Sequence, residues 1–250
     1  MKRRDVLVGF CFVCILYAVY NFVYAMLYGS PRGKGYGKIH ALLHTSDRAW
    51  CKHAYAVLTG EFKNEPDVHI CLDRIPEHNC VVYSIGIANN WIFDDFMLRQ
   101  GCSVYSFDPS MEGVKKHKRH PNHLFEPIGI GTTTGLYSGK STLYGGKKKY
   151  PVETLDHIMK RHGHKNLTIL RIDTEGAEWS VFEQWLENGW FDRIDQLLVE
   201  IHMFDSSQQV RYSDILTAIP MKLFHTARNR FDNMPVHGLM TKVYELGWLR

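Results

Sequence analysis

The sequence has little net charge, no internal repeat and no tract of low complexity. Its 250 residues carry a formal net charge of +4 at pH 7, which is small and spread along the chain. A nucleic-acid-binding protein usually concentrates basic residues on one surface, so this composition argues against a nucleic-acid partner. We expect the two short basic runs, at residues 115–119 and 147–149, to be solvated loop charges.

Closely spaced cysteine pairs are absent from the chain after residue 28. The four cysteines in that part are Cys51, Cys71, Cys80 and Cys102. Structural zinc sites favour Cys-x-x-Cys pairs, so the spacing argues against such a site. An even number of cysteines suits disulfide bonds in an oxidising compartment, and the sequence leaves all three possible pairings open.

Charged residues are also absent from positions 6–31. Residues 6–28 are almost wholly apolar or aromatic, and at about 1.5 Å rise per residue a helix of this length crosses a bilayer core of about 30 Å. A cleaved signal peptide would have a shorter apolar core, so the segment predicts an uncleaved signal anchor. Lys2, Arg3 and Arg4 precede it and should stay in the cytosol. We therefore expect a single-pass type II membrane protein whose C-terminal bulk lies in the secretory lumen or outside the cell.

The rest of the chain divides into a linker, an extension and one large domain. Residues 29–38 are rich in glycine, proline and lysine, which is typical of a linker. Residues 39–79 predict a mostly helical extension. The chain is 45% hydrophobic and 22% charged, and residues 80–250 are long enough for one large α/β domain.

Strand patterns alternate with helix patterns from Cys80 onward. This alternation predicts a Rossmann-like, doubly wound and mostly parallel sheet of seven strands. The strands are predicted at residues 80–85, 103–107, 124–130, 167–172, 194–201, 221–226 and 241–248. Helices are predicted between them, at residues 91–99, 153–161 and 208–219 and in the segment after residue 178.

A small-residue turn follows the first of these strands. Gly86 and Ala88 allow the backbone to bend sharply and to approach a ligand closely. The second strand ends in Asp108, which is well placed to accept hydrogen bonds from the hydroxyls of a ribose. This pattern predicts a nucleoside-containing cofactor at the turn.

The segment LRIDTEGAEW, residues 170–179, places three acids after a buried strand. Asp173, Glu175 and Glu178 are spaced around Gly176. Ligands of open α/β sheets gather at the carboxyl ends of the strands, so the acids indicate a working site. Acids in this position can also simply stabilise the positive N-terminus of the next helix, and we assign that role first to Glu178.

Together these motifs resemble a known family of enzymes. The Gly-x-Ala turn, the acid after the second strand and the run YPVETLDHIMKRHGHKNLTILRIDTEGAEW are similar to FkbM-type S-adenosylmethionine-dependent methyltransferases. With SIGIANNWIFD, YSFDPSM and the predicted anchor, they resemble the methyltransferase-like protein 24 group within that class. The resemblance covers residues 80–250. The chain departs from the wider class at Ala88, where a glycine is usual, and at Ser84, where an acid often stands.

The resemblance implies S-adenosylmethionine as the cofactor and assigns residues to it. The implied cofactor-binding positions are Ser84, Gly86, Ile87, Ala88, Asp108, Pro109, Ile128, Gly129 and Asp173. The first strand and its turn would face the methionine half, Asp108 the ribose, and the turn at 128–129 the adenine. The implied catalytic residues are Asp173, Glu175 and His202, any of which could remove the proton of an acceptor hydroxyl.

The methyl acceptor is not identified by the sequence. Its pocket would be formed by the loops at 137–150, 204–209 and 228–235, and a glycan hydroxyl would fit a lumenal enzyme. A metal held by Asp173, Glu200 and His202 is chemically conceivable. These three residues lack a tight spacing motif, so our prediction assigns no metal.

Two other functions stay open at this stage. A lumenal type II glycosyltransferase would share the topology, and Asp173-Thr174-Glu175 approximates the Asp-x-Asp motif that many of those enzymes use. A non-catalytic protein could keep the methyltransferase fold as a binding module, because function resides in the site rather than in the fold.

Overall fold

A computed structural model describes residues 34–47, 50–59, 68–138, 149–203, 205–228 and 243–250. The predicted membrane anchor at 6–28 lies outside the described residues, as do residues 139–148, 204 and 229–235 of the loops predicted to form the acceptor pocket. None of the helices in the described ranges is both long and apolar enough to span a bilayer.

The described part contains thirteen strands and five α-helices. The strands are β1 (Ala54–Val57), β2 (Val68–Cys71), β3 (Val81–Ile85), β4 (Ser103–Phe107), β5 (His117–His120), β6 (His123–Glu126), β7 (Gly129–Ile130), β8 (Gly135–Ser138), β9 (Lys149–Glu153), β10 (Leu167–Asp173), β11 (Ile194–His202), β12 (Lys222–Arg228) and β13 (Val243–Leu249). The helices are α1 (Lys34–Leu43), α2 (Ile92–Arg99), α3 (Leu155–His162), α4 (Glu178–Asn188) and α5 (Gln209–Ala218). Short 3₁₀ turns cover Leu72–Arg74, Trp190–Arg193 and Ser206–Gln208.

Eight strands form the central sheet in the order β12-β13-β11-β10-β3-β4-β6-β5. The five central strands, from β11 to β6, are parallel. The strand β13 is antiparallel to both of its neighbours, β11 and β12. Because helices cover both faces, the inner strands are almost continuously apolar, as in the buried LTILRID of β10. The predicted doubly wound, mostly parallel sheet is confirmed.

The sheet has one strand more than the predicted seven. The extra strand, β5, overlaps the basic run at 115–119 that we expected to be loop, and all four of its residues are exposed. It is antiparallel to β6 at the edge of the sheet. Its sequence, HKRH, has no apolar alternation, and such charged side chains protect an edge strand from pairing with another chain.

The predicted strand at 124–130 is divided in two. The first half is β6, which ends at Glu126, whereas β7 belongs to a separate three-stranded sheet of order β7-β9-β8. Pro127 separates the halves and has no N–H to continue the ladder of β6. The small sheet thereby leaves the plane of the central sheet at the end of β6.

The N-terminal extension is not mostly helical. The helix α1 begins within the predicted linker and ends at Leu43, and β1 then pairs with β2 in an antiparallel ribbon. Disulfides join Cys51 to Cys71 and Cys80 to Cys102. The first fixes the ribbon, and the second joins the residues that precede β3 and β4, so the structure adopts one of the three pairings.

Two apolar cores lie on opposite faces of the central sheet. The larger contains buried side chains of α1, α3, α4 and α5, including Phe182 and Trp185, as expected for the aromatic face of α4. The smaller contains Phe93 and Met97 of α2 together with the ribbon and both disulfides. These layers fix the carboxyl ends of β3, β4, β10 and β11 along one edge of the central sheet.

Candidate active site

A cavity of about 650 Å³ opens at the carboxyl ends of the central strands. It lies where the chain order reverses between β10 and β3, which is the usual ligand position in an open α/β sheet. The loops after β3 and β4 and the small sheet contribute Ile85, Gly86, Ala88, Asp108, Pro109, Ser110, Gly129, Ile130, Tyr137, Tyr150 and Val152. The segments after β10 and β11, with α4 and α5, contribute Asp173, Thr174, Glu175, Gly176, Ala177, Trp179, His202, Asp205 and Tyr212.

Most of the site residues predicted from sequence line this one cavity. They are Gly86, Ala88, Asp108, Pro109, Gly129, Asp173, Glu175 and His202. Three others do not line it. Ser84 and Ile87 are buried below the turn, at 0% and 2% exposure. Ile128 packs against the larger core.

The turn after β3 has an unusual backbone that Asp108 stabilises. Gly86, Ala88 and Asn89 have φ values of 80°, 45° and 63°. The Ala88 amide donates to Oδ2 of Asp108 at 2.7 Å, and the Ser110 amide donates to Oδ1 at 2.7 Å. A carboxylate oxygen can accept more than one hydrogen bond, so Asp108 shapes the turn and can still accept from a ligand.

Gly86 also contacts the strand that carries the reactive acids. A side chain at Gly86 would overlap with the backbone carbonyl of Asp173 at the end of β10. From the sequence we attributed this small residue to the approach of a ligand. The structure shows that it also lets two loops of the site touch each other.

Glu178 organises the acidic side of the cavity. It is fully buried, and its Oε2 accepts hydrogen bonds from the Gly176 amide and the Thr174 hydroxyl, each at 2.9 Å. Its Oε1 accepts from the His202 amide at 2.8 Å and lies 3.3 Å from Nδ1 of His202. The expectation that Glu178 only stabilises the start of α4 is therefore wrong, because it connects the loop after β10 to the end of β11.

His202 lies at the centre of the acids. Its side chain is 3% exposed, and its Nε2 lies 3.5 Å from Oε2 of Glu175, 3.7 Å from Oε1 of Glu200 and 3.9 Å from Oδ1 of Asp173. Burial acts to lower the pKa of His202, but the bond to Glu178 and the charges of Asp173 and Glu175 outweigh it and raise that pKa to about 10. A raised pKa favours the protonated imidazole, so the carboxylates are better placed than His202 to act as a base, and the catalytic role of His202 stays a prediction.

The carboxylates remain candidates for that role. Burial raises the pKa of Asp173, against the opposing charges of Arg171 and His202, and it raises the pKa of Glu175 as well. Burial and the charge of Asp173 raise the pKa of Glu200 to about 7. A carboxylate with a raised pKa is a better proton acceptor near neutral pH than an exposed one.

Arg171 is a site residue that the sequence analysis missed. Its guanidinium lies 3.5 Å from both Oδ2 of Asp173 and the carbonyl oxygen of Gly86, and it stacks over the ring of Phe93. It is therefore a cation shared by the turn and the acids. The sequence feature that could have indicated it is a single arginine within the otherwise mostly apolar run of β10.

Aromatic side chains complete the cavity. Trp179 stacks on Tyr212 with ring centroids 4.1 Å apart, and its indole N–H donates to the His202 carbonyl at 2.7 Å. We expected Trp179 to belong to the apolar core; it does so and also lines the cavity. Tyr137 and Tyr150 enter from paired positions of β8 and β9, at the two ends of the loop expected to form the acceptor pocket.

Comparisons with known proteins agree with this architecture. Residues 57–243 match the family described as Methyltransferase domain. The chain is 28% identical over 154 residues to probable methyltransferase-like protein 24 of Homo sapiens, covering 58% of this chain and 40% of that protein. It is 28% identical over 144 residues to probable methyltransferase-like protein 24 of Rattus norvegicus, covering 54% of this chain and 38% of that protein. The matched region thus spans about two fifths of the length of these curated relatives.

A solved structure is also similar. It is a mutant of the 16S rRNA (adenine(1408)-N(1))-methyltransferase from Catenulisporales acidiphilia, with 12% identity and a TM-score of 0.29 over 70% of this chain and 88% of that one. The family match covers most of the chain and includes every residue of the cavity. The protein therefore belongs to the methyltransferase domain family.

Proposed function

We propose that this protein transfers a methyl group from S-adenosylmethionine to a hydroxyl of an acceptor, with a glycan hydroxyl as the expected acceptor. The observation that carries the proposal is that one cavity joins the turn after β3 to the acids at the end of β10. The cofactor and the acceptor can then meet within one cavity. Cavities of about 300–1,000 Å³ are usual for cofactor and small-molecule sites.

The cavity residues fit the cofactor in shape and in charge. The left-handed turn at Gly86 and Ala88 leaves backbone close to the cavity, and Asp108 retains acceptor capacity for a ribose. The sulfonium of S-adenosylmethionine is a cation. Carboxylates of Asp108, Asp173, Glu175 and Asp205 line the cavity, whereas none of the described lysines or arginines does. Ser84 and Ile87 would support the turn from below, because both are buried.

The chemistry requires alignment and the removal of one proton. An oxygen lone pair of the acceptor attacks the methyl carbon, the carbon–sulfur bond breaks, and its electron pair remains on sulfur. The proton leaves the hydroxyl for Asp173 or Glu175, whose pKa values are raised by burial. Protonated His202 stabilises these carboxylates and holds them at the cavity wall.

The membrane topology belongs to the same proposal. The apolar segment at 6–28 and the basic residues before it support a type II anchor, with the methyltransferase domain in the secretory lumen or outside the cell. The two disulfides of the described chain are consistent with an oxidising compartment. In that compartment we expect no nucleic-acid partner.

Calorimetry of the purified full-length chain tests the proposed cofactor. S-adenosylmethionine should bind with one site per chain, and UDP-glucose should not bind. Asp108→Asn should weaken S-adenosylmethionine binding at least tenfold, whereas Asp214→Asn, an exposed acid on α5, should leave it unchanged. Failure of the folded protein to bind S-adenosylmethionine would overturn the proposal, and binding of UDP-glucose instead would favour a glycosyltransferase.

A further inference from the structure

The acids around His202 form, with its imidazole, a group of side chains that could bind one metal ion. One oxygen each of Asp173 and Glu175 and one ring nitrogen of His202 lie within 4.8 Å of one another. Nε2 of His202 lies 3.5 Å from Oε2 of Glu175 and 3.9 Å from Oδ1 of Asp173. Two atoms bound ~2.1 Å from one ion at a tetrahedral angle lie ~3.4 Å apart, which is close to the separations found here.

The opposite side of the imidazole is fixed as it is in metal sites. Nδ1 of His202 faces Oε1 of the fully buried Glu178, and the same oxygen accepts the His202 backbone amide. A metal-binding histidine commonly donates its second ring N–H to a carboxylate, which orients the ring and makes the free nitrogen more basic. Here that arrangement directs Nε2 toward Asp173 and Glu175.

The site is also open on one side and rich in negative charge. Asp173, Glu175 and His202 all line the cavity, so a bound ion would keep a coordination position facing it. Glu178 and Glu200 add two further carboxylates around the same imidazole, and Arg171 contacts only the outer oxygen of Asp173. The cluster therefore holds more acids than its two described cations, His202 and Arg171, balance.

We propose that Asp173, Glu175 and His202 bind a divalent transition-metal ion in the cavity. Two carboxylates and an imidazole suit ions such as Mn²⁺ or Zn²⁺. Binding displaces the proton from Nε2 of His202, as ligation by an imidazole requires. This inference replaces the sequence-based expectation of no metal, and it uses Glu175 in place of the Glu200 that we had considered.

The ion would take part in the methyl transfer by binding the acceptor. With the ion bound, Asp173 and Glu175 would serve as its ligands rather than as proton acceptors. An acceptor hydroxyl in the open coordination position would become more acidic, would be held toward the methyl donor and would lose its proton to solvent. This role in catalysis rests on the proposed methyl transfer. Binding of the ion does not depend on that function.

Electron paramagnetic resonance with Mn²⁺ tests the site on the purified full-length chain. The signal of free Mn²⁺ should fall as one equivalent binds. Glu175→Gln should weaken binding at least tenfold, and His202→Ala should abolish it. The matched control is Glu183→Gln on α4, an acid of similar exposure that pairs with Arg211 away from the cavity; its affinity should equal that of the wild type.

Two results would overturn the metal site. One is the absence of stoichiometric Mn²⁺ binding by the folded wild type. The other is an unchanged Mn²⁺ affinity in Glu175→Gln, a partly exposed position whose substitution should not prevent folding even if His202→Ala does. Calorimetry with S-adenosylmethionine on the same samples separates the two proposals. If Mn²⁺ does not bind but S-adenosylmethionine does, only the proposed metal site is wrong. If Mn²⁺ binds but S-adenosylmethionine does not, only the proposed methyl transfer is wrong.

Discussion

Gly86 and Asp173 are in direct backbone contact, so that a Cβ at Gly86 would occupy the space of the Asp173 carbonyl oxygen. The contact joins the turn expected to bind the cofactor to the strand end that carries the acids. Arg171 reinforces it, because its guanidinium lies near both the Gly86 carbonyl and the Asp173 carboxylate. The two parts of the site therefore behave as one unit.

Gly86→Ala tests this contact. The substitution adds a side chain at a φ of 80° and forces the two backbones apart, so it should destabilise the protein by more than ~1 kcal/mol and weaken S-adenosylmethionine binding. Gly163→Ala is the matched control. Gly163 ends α3 with a φ of 75°, but a Cβ there would meet no atom within 4 Å. It should destabilise the protein by only about 1 kcal/mol, for the left-handed backbone alone, and leave binding unchanged, as measured by urea unfolding and calorimetry.

If Gly86→Ala and Gly163→Ala prove equally stable and bind S-adenosylmethionine equally well, the overlap at Gly86 has no effect on stability or binding. The site would then not be built around this contact. A loss of binding in both variants would instead point to a general effect on folding.

Arg171 should be essential for stability. Replacing it by methionine leaves Asp173, Glu200 and Glu245 as buried carboxylates without their shared cation, which costs about 3–5 kcal/mol in comparable cases. Arg171→Lys should recover part of that loss. The control is Arg193→Met, which removes an exposed guanidinium that only stacks on Trp190. In chemical denaturation, the control should lower the free energy of unfolding by less than ~0.5 kcal/mol.

The effect of Arg171→Met should also depend on pH. Because these acids ionise with raised pKa values, the loss should be larger at pH 8 than at pH 5. A pH-independent loss would indicate that the side chain contributes packing rather than charge.

His202 should remain protonated well above neutral pH. Its pKa in the folded protein, about 10, exceeds the usual value of 6.5, so its contribution to stability is complete below pH 6.5 and is lost as pH rises toward 10. NMR titration of the imidazole in metal-free protein should show this directly, with Glu178→Gln lowering the pKa of His202 substantially. His123 provides an internal comparison, since burial lowers its pKa to about 4. An ordinary pKa at His202 would show that the acids do not hold its proton.

The two disulfides should each stabilise the chain measurably. They close loops with sequence separations of 20 and 22 residues, for which the loss of chain entropy in the unfolded state gives about 3 kcal/mol. Cys51→Ser with Cys71→Ser, and Cys80→Ser with Cys102→Ser, should each lower the melting temperature. Peptide mapping of unreduced protein should recover both pairs, and any crossed pair would contradict the pairing found here.

Much of the fold could be predicted from local sequence. Strands such as β3, β10 and β11 are apolar runs that end at polar turns, and their order of alternation with helices determines a parallel sheet. The strand β5 could not be predicted, because its pairing with β6 rather than its own composition makes it a strand. The ribbon of β1 and β2 could not be predicted either, because each strand is only four residues long.

The site could be predicted only in part, for a related reason. Gly86 and Asp108 directly follow strands and Asp173 is the last residue of one, so the topology implies their positions at one edge of the sheet. The roles of Glu178 and Arg171 depend on how neighbouring strands align and where α4 begins, which no local pattern encodes. The pKa of His202 also depends on carboxylates from three separate positions, so it could not be inferred from an isolated histidine.

The small sheet of β7, β8 and β9 gives the cavity a wall that is independent of the central strands. Tyr137 and Tyr150 lie there, and β7 joins that sheet only after Pro127 has ended β6. Substitutions on this wall leave the contact of Gly86 with Asp173 and the bonds of Glu178 untouched. The shape of the cavity can therefore change at β8 and β9 without altering these contacts at the edge of the central sheet.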